Sequence, residues 1–108
     1  MNGLKNLPIK NPKKLKELID YEKKQVISMS LSDSDHSNIM LFSFADGEIL
    51  EEEKYSSNTL YLSVEGEVII KQKDKTQILK EGELLMILAN NFHEISGKGS
   101  FKLLQINI

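Results

Sequence analysis

The chain contains no cysteine, and this absence removes several functions at once. Without a thiol there is no disulfide, no thiolate ligand for a metal ion and no cysteine nucleophile. A long apolar run is also missing, because the longest covers only residues 84–89, whereas a transmembrane helix needs about 20 apolar residues. The first 20 residues hold no apolar run of signal-peptide length either. We therefore expect a cytoplasmic protein that makes no membrane contact.

Positive and negative charges are nearly balanced. Lysine and arginine number 14, aspartate and glutamate 16, and the net charge is -2. A nucleic-acid-binding domain usually carries a basic face, so no nucleic-acid partner is expected. The sequence also lacks a phosphate-binding glycine loop and a serine nucleophile in its usual turn. The length of 108 residues, 40% of them hydrophobic, fits one globular domain.

The N-terminal segment, residues 1–24, contains one predicted helix. Asn11 can cap a helix and Pro12 is tolerated at its first position, and the sequence KKLKELID follows. Leu15, Leu18 and Ile19 have the spacing of one helical face. The lysines between them are interpreted as a solvated face.

Short strands are predicted over residues 25–108. Apolar residues alternate with polar ones in 25–32 and 59–65, and further apolar runs occupy 39–44, 84–88 and 101–108. Polar or glycine-containing turns are predicted between the runs, including turns at 65–66 and 97–100. The total of about nine short strands predicts an all-β sandwich or barrel.

Two glycine-bounded spacings identify a family resemblance. The first spacing runs through Gly47, Glu53, Tyr55, Thr59 and Gly66. The second runs through Gly82, Leu88, Asn90 and His93. Together with the phrases LYLSVEGEV and EGELLMILANNFHEI, they resemble the two motifs of the cupin family, over roughly residues 28–108. The resemblance is to the small single-domain cupins, often called RmlC-like, and implies a double-stranded β-helix, or jelly-roll, barrel that often dimerises.

The family's metal ligands are mostly replaced. The two histidines of the first cupin motif fall on Glu53 and Tyr55, its glutamate falls on Thr59, and only His93 is kept. Imidazole and carboxylate groups hold the transition metals of such sites. Glu53 and His93 are thus the only metal candidates, and we expect no tightly held divalent transition metal.

The resemblance also implies the residues of a small-molecule pocket. The expected lining consists of Glu53, Tyr55, Thr59, Tyr61 and His93, with Phe92 nearby. The family register points Thr59, Tyr61 and Ser63 into the barrel, whereas plain alternation would bury Leu60, Leu62 and Val64. Both faces can be buried if a second sheet, the N-terminal segment or a second subunit covers the leucines, and a homodimer is expected partly for this reason.

Three functions remain open from the sequence. The first is a small cupin barrel that binds an organic ligand without a tightly held metal. The second is an enzyme of isomerase or oxygenase type that uses Glu53 and His93, with or without a metal. The third is the ligand-binding part of a transcription regulator, which would need a separate DNA-binding chain. A loose group at Asp33, Asp35 and His36 matches no calcium loop and is interpreted as surface.

Overall fold

The computed structural model describes residues 3–34 and 37–108, which form nine strands and one short 3-10 helix. The strands are β1 (Gly3–Leu4), β2 (Val26–Ser30), β3 (Ser32–Asp33), β4 (Asn38–Phe44), β5 (Leu50–Glu53), β6 (Thr59–Gln72), β7 (Thr76–Leu79), β8 (Leu84–Ile87) and β9 (His93–Asn107). The all-β prediction is confirmed. Two strands are much longer than predicted, since β6 has 14 residues and β9 has 15.

Strands β6 and β9 join two sheets into a barrel. The first half of β6 pairs with β8 and with the second half of β9, which pairs in turn with β4 and through it with β2. The second half of β6 pairs with β7 and with the first half of β9, whose other neighbour is β5. All these pairings are antiparallel. A separate two-stranded sheet is formed by β1 and β3.

The turns predicted at 65–66 and 97–100 are wrong, because both segments lie inside the long strands. The β6–β9 register shifts on either side of Glu65, which marks an irregular corner where each strand passes from one sheet to the other. Gly66 has a φ of +80° at this corner. A Cβ atom on Gly97 would lie 2.3 Å from the Phe101 ring. The glycines allow a close approach of two strands at a bend and do not reverse the chain.

The interior of the barrel is apolar at its centre and polar at one end. Its core cluster comprises Phe44, Tyr61, Val68, Ile70, Leu79, Ile87, Ile95, Phe101 and Leu103. Along β6, the side chains of Thr59, Tyr61 and Ser63 are buried in the barrel, and the alternate residues are half-buried on the outer face. The register that the family resemblance implies is therefore the one observed.

The predicted N-terminal helix is not formed. Residues Leu15–Leu18 make a 3-10 helix of four residues, and the backbone is extended at Lys14 before it and at Ile19 after it. A 3-10 turn places residues three apart on one side, so Leu15 and Leu18 can both pack on the sheet without a longer helix. They surround a small outer core made of Ile19, Leu31 and Leu41. Packing on the barrel thus prevails over the helical pattern.

A buried lysine holds this N-terminal segment to the corner of the barrel. The Nζ atom of Lys102 donates a hydrogen bond to the Lys16 carbonyl oxygen at 2.6 Å and lies 3.6 Å from a Glu65 carboxylate oxygen. The Tyr21 hydroxyl donates to the same carboxylate at 2.5 Å, and its ring lies beneath the ammonium group. The hydrogen bond from Tyr21 and the charge of Lys102 lower the pKa of the Glu65 carboxyl.

No helix among the residues described is long and apolar enough to cross a membrane.

We expect Gly66→Ala to destabilise the fold more than Gly99→Ala. Both glycines have positive φ, of +80° and +82°, so both substitutions incur the ~1–2 kcal/mol left-handed penalty of an L-residue. Only at Gly66 would the new Cβ atom also meet the Ser100 carbonyl oxygen, at 2.7 Å, whereas Gly99 has nothing within 4 Å. Overpacking should lower the free energy of unfolding by a further ~1–3 kcal/mol. Urea unfolding measures the difference, and equal losses would contradict the close approach at the corner.

Candidate functional site

The strand pairing brings the predicted site residues to one end of the barrel. Glu53 on β5 lies opposite His93 on β9, and Gln72 on β6 lies opposite His93 on the other side. Tyr61 on β6 lies opposite Gln105 on β9. Adjacent residues in antiparallel register point to the same face of a sheet. This face is the inside of the barrel, because Tyr61 and His93 are both fully buried.

His93 has both ring nitrogens in hydrogen bonds and is 2% exposed. Its Nδ1 atom lies 3.0 Å from the Asn91 carbonyl oxygen, and its Nε2 atom lies 2.7 Å from the Tyr61 hydroxyl. A carbonyl oxygen only accepts, so Nδ1 carries the proton. In the neutral ring, Nε2 then accepts the proton of the Tyr61 hydroxyl. Burial raises the pKa of Tyr61, and Tyr55 and Glu53 raise it further, which keeps this donor protonated.

Glu53 and Tyr55 form a second pair, in which the Tyr55 hydroxyl donates to a carboxylate oxygen of Glu53. Burial, this hydrogen bond and the negative charge of Glu53 together raise the pKa of Tyr55 to about 12. The phenol therefore stays protonated at neutral pH. The rings of Tyr55 and His93 lie 6.0 Å apart, so the two pairs are neighbours.

Thr59 belongs to a row of buried amides. The Nδ2 atom of Asn107 donates to the Thr59 hydroxyl oxygen at 2.5 Å. The Nε2 atom of Gln105 donates to the Asn107 side-chain oxygen at 3.0 Å. Gln105 and Asn107 were not predicted as site residues, because the two motifs end before β9 reaches them. The sequence feature that could have identified them is the alternation of β9, which places both residues on the same face as buried Leu103.

The donor set does not fit a cupin metal ion. The imidazole nitrogen that would bind a metal accepts from Tyr61, the carboxylate of Glu53 accepts from Tyr55, and the hydroxyl of Thr59 accepts from Asn107. Within residues 3–34 and 37–108, no group of three or more His, Asp or Glu side chains is arranged to hold a metal. The side chains at the family ligand positions are hydrogen-bonded to other side chains of the barrel instead.

A cleft of about 490 Å³ opens beside this end of the barrel. Its lining comes from β5, from the β6–β7 hairpin and from the loop before β9: Glu52, Gln72, Lys73, Asp74, Lys75, Asn90, Asn91 and Phe92. Gln72 is the lining residue nearest to the barrel interior in the sheet, because its strand partner is the buried His93. Phe92 is half-exposed, and the Lys54 ammonium lies 4.9 Å above its ring.

The six predicted ligand-binding residues fall into two places. Glu53, Tyr55, Thr59, Tyr61 and His93 lie in the polar end of the interior. Phe92 is the one member of the six that lines the cleft. Of the loop group expected at the surface, Asp33 lies on β3, and Asp35 and His36 lie outside the described residues.

Solved structures give the strongest comparisons. A cupin superfamily protein from Desulfitobacterium hafniense DCB-2 is 47% identical and has a TM-score of 0.96, with 98% of this chain and 97% of that chain covered. A conserved Streptococcus pyogenes protein of unknown function is 18% identical with a TM-score of 0.92, covering 100% of this chain and 95% of that chain. This likeness shows the fold alone.

A third structure is a cupin 2 conserved barrel domain protein from Leptotrichia buccalis. It is 27% identical with a TM-score of 0.83, and the match covers 87% of this chain but 46% of that longer chain. No protein-family profile and no curated protein matches the sequence. The near-complete match to the Desulfitobacterium protein at 47% identity, on a barrel joined by two bent strands, shows that this chain belongs to the cupin superfamily.

Proposed function

We propose that this protein binds a small organic ligand at the mouth of its barrel, without a tightly held metal ion. The observation that carries the proposal is the cleft of about 490 Å³ beside the polar end of the barrel, where the lining residue Gln72 is the strand partner of the buried His93. Its volume lies in the range of small-molecule pockets. Phe92 supplies an aromatic wall, and the amides of Gln72, Asn90 and Asn91 supply donors and acceptors.

The state of His93 and Glu53 favours binding over catalysis. A general base needs a lone pair within hydrogen-bond reach of the substrate proton. In His93 the lone pair of Nε2 accepts from Tyr61, and the Glu53 carboxylate accepts from Tyr55. A substrate would have to displace a tyrosine hydroxyl before either group could act.

An enzyme of isomerase or oxygenase type remains the second candidate. It is favoured by one observation, which is that Glu53 and His93 are direct neighbours across β5 and β9. A Glu–His pair on one face of a sheet can share a substrate proton if a ligand separates each group from its tyrosine. Turnover that is lost in both Glu53→Gln and His93→Gln would establish this alternative.

Ligand binding is tested by a thermal-shift screen of small neutral and acidic organic compounds. We expect at least one compound to raise the Tm of the wild type, and Phe92→Ala to raise its Kd about fivefold, since an aromatic contact contributes ~1 kcal/mol. Ile78→Ala is the matched control, because Ile78 is 47% exposed and Phe92 48%, and Ile78 does not line the cleft. Equal effects of the two substitutions, or no stabilising compound, would contradict the proposal.

Metal content is tested by elemental analysis of protein purified without added metal. We expect far less than one equivalent of Fe, Mn, Ni, Cu or Zn, because two candidate ligands with occupied lone pairs do not hold such an ion against water. The His93→Ala variant serves as the comparison. A stoichiometric ion in the wild type that is missing from the variant would show a rebuilt metal site and would refute the metal-free proposal.

We also propose that a second copy of the chain covers the outer face of the larger sheet. The N-terminal segment covers the part near β2 and β4, where Leu41 is fully buried. Leu60 and Leu62 on β6 are only half-buried on the same face, and their strand partners Met86 and Leu84 on β8 are exposed. These four residues form one apolar surface, which we call the β6–β8 face. A contiguous apolar surface of this kind marks an interaction site.

We expect the wild type to sediment as a dimer and Met86→Glu to sediment as a monomer. A carboxylate placed on the β6–β8 face would have to be desolvated without a partner, which is strongly unfavourable. Ile78→Glu is the control, because it places the same charge at a comparably exposed strand residue on β7, away from this face. Analytical ultracentrifugation separates the outcomes. A monomeric wild type, or dissociation by Ile78→Glu alone, would overturn the proposed interface.

A further inference from the structure

One buried acceptor lacks a donor. Among the residues described, the single buried side-chain nitrogen or oxygen atom without a hydrogen-bond partner is Oε1 of Gln105. Gln105 is 2% exposed and lies opposite Tyr61 on the inner face of the barrel. A buried polar group with no partner is rare in native proteins and calls for an unseen donor, either an ordered water molecule or part of a ligand.

The orientation of the Gln105 amide is fixed by the carboxylate of Glu53. An ionised carboxylate only accepts hydrogen bonds, so the Tyr55 hydroxyl proton points to Glu53. The oxygen of Tyr55 is then left to accept from the Gln105 amide, a contact that lowers the pKa of Tyr55 but is outweighed by burial and by Glu53.

The second amide hydrogen of Gln105 is used as well. Its Nε2 atom donates to the Asn107 side-chain oxygen at 3.0 Å, and Asn107 donates onward to Thr59. Reversal of the amide would place Oε1 where Nε2 now meets the oxygens of Tyr55 and Asn107. The hydrogen bonds therefore run outward from the Gln105 amide, through Asn107 to Thr59 on one side and through Tyr55 to Glu53 on the other, and they leave the buried Gln105 carbonyl oxygen without a donor.

The surroundings of this oxygen disfavour a negative charge. Glu53 is the one formally charged member of the two hydrogen-bonded groups described here, the other members being Tyr55, Thr59, Tyr61, His93, Gln105 and Asn107. Both tyrosines keep their protons. A carboxylate or phosphate would meet a lone pair of Gln105 and the charge of Glu53, with no cation within these groups to balance it.

We propose that Gln105 Oε1 is the deep contact of the bound ligand, and that it selects uncharged compounds with an N–H or O–H donor, such as amides or polyols, over anions of the same shape. This inference rests on the proposed small-molecule function, and it adds a specificity-determining residue and a ligand class. Phe92 supplies shape in the cleft. Gln105 is buried and does not line the cleft, so in this proposal the ligand extends from the cleft into the polar end of the interior, where Gln105 supplies the chemical selection.

Propionamide and propionate test the inference directly, because they match in size and differ in N–H donors and in charge. We expect ligand-observed NMR to give a Kd for propionamide at least about tenfold below that for propionate, the ratio that corresponds to one net hydrogen bond of about 1.4 kcal/mol. Ethylene glycol and 1,2-dimethoxyethane form a second pair without any charge difference. The diol is expected to bind and the diether, which has no donor, is not.

Gln105→Met should abolish the discrimination, since it keeps the length of the side chain and removes the acceptor. Leu88→Met is the control for a conservative change at an exposed residue near the same end of the barrel. If Gln105→Met does not fold, the two wild-type ratios still decide the matter. Propionate binding as tightly as propionamide, or discrimination that survives in Gln105→Met, would overturn the inference.

The proposed function and this inference fail in different ways. If both probes bind equally and Phe92→Ala weakens the binding of both, a small-molecule site exists and the proposed selection of hydrogen-bond donors by Gln105 is wrong. If a crystal soaked with propionamide shows an ordered water only on Oε1, the assignment of Gln105 to the ligand is wrong. If neither these probes nor any compound of the wider screen binds, both proposals are wrong.

Discussion

The pairing of β6 with β9 is the constraint on which the rest of the structure depends. The two strands are in register from Thr59 opposite Asn107 to Gln72 opposite His93, interrupted only at the corner. Each strand therefore belongs to both sheets, and every other strand of the barrel pairs with β6 or β9 except β2, which pairs with β4. Because the side chains of a strand alternate between faces, this single register decides which residues face the interior. A slip by one residue would exchange Tyr61 and Gln105 for leucine and isoleucine.

The same register explains why the polar side chains at this end of the barrel satisfy one another's hydrogen bonds. It buries Tyr61, His93 and the amides of Gln105 and Asn107, and half-buries Tyr55. An unpaired polar group in such a place costs about 1–3 kcal/mol. Tyr61 therefore meets His93 and Tyr55 meets Glu53, so that each hydroxyl proton has an acceptor. In a metal-binding barrel the ion satisfies the ligand lone pairs. Here the hydroxyls of Tyr61 and Tyr55 do so for His93 and Glu53, which explains why replacing three of the four family ligands changes the chemistry of the whole site.

The spacing of the two motifs was enough to predict the fold and the inward register of Thr59, Tyr61 and Ser63. It was not enough for the elements whose form depends on contacts between distant residues. Glycine marks a turn when only its neighbours are considered, but Gly66 sits at a bend because the backbone of Ser100 comes close. Leu15 and Leu18 fit a helix in isolation, yet packing around Ile19 and Leu41 selects a single 3-10 turn. Gln105 and Asn107 lie beyond the motifs, and they are recognised as site residues only from the side chains to which they are hydrogen-bonded.

The burial of the outer face of the larger sheet also depends on contacts with a distant part of the chain. The alternation of β6 produces an apolar outer stripe as an unavoidable counterpart of its polar inner one. The N-terminal segment covers one part of that face, and Lys102 fixes it there through the Lys16 carbonyl and Glu65. Burying a lysine is favourable only with such partners, so the position of the segment is specific. The segment therefore covers only the part of the outer face near β2 and β4 and leaves the β6–β8 face exposed. This exposed apolar surface is the physical reason to expect a second copy there and not elsewhere on the barrel.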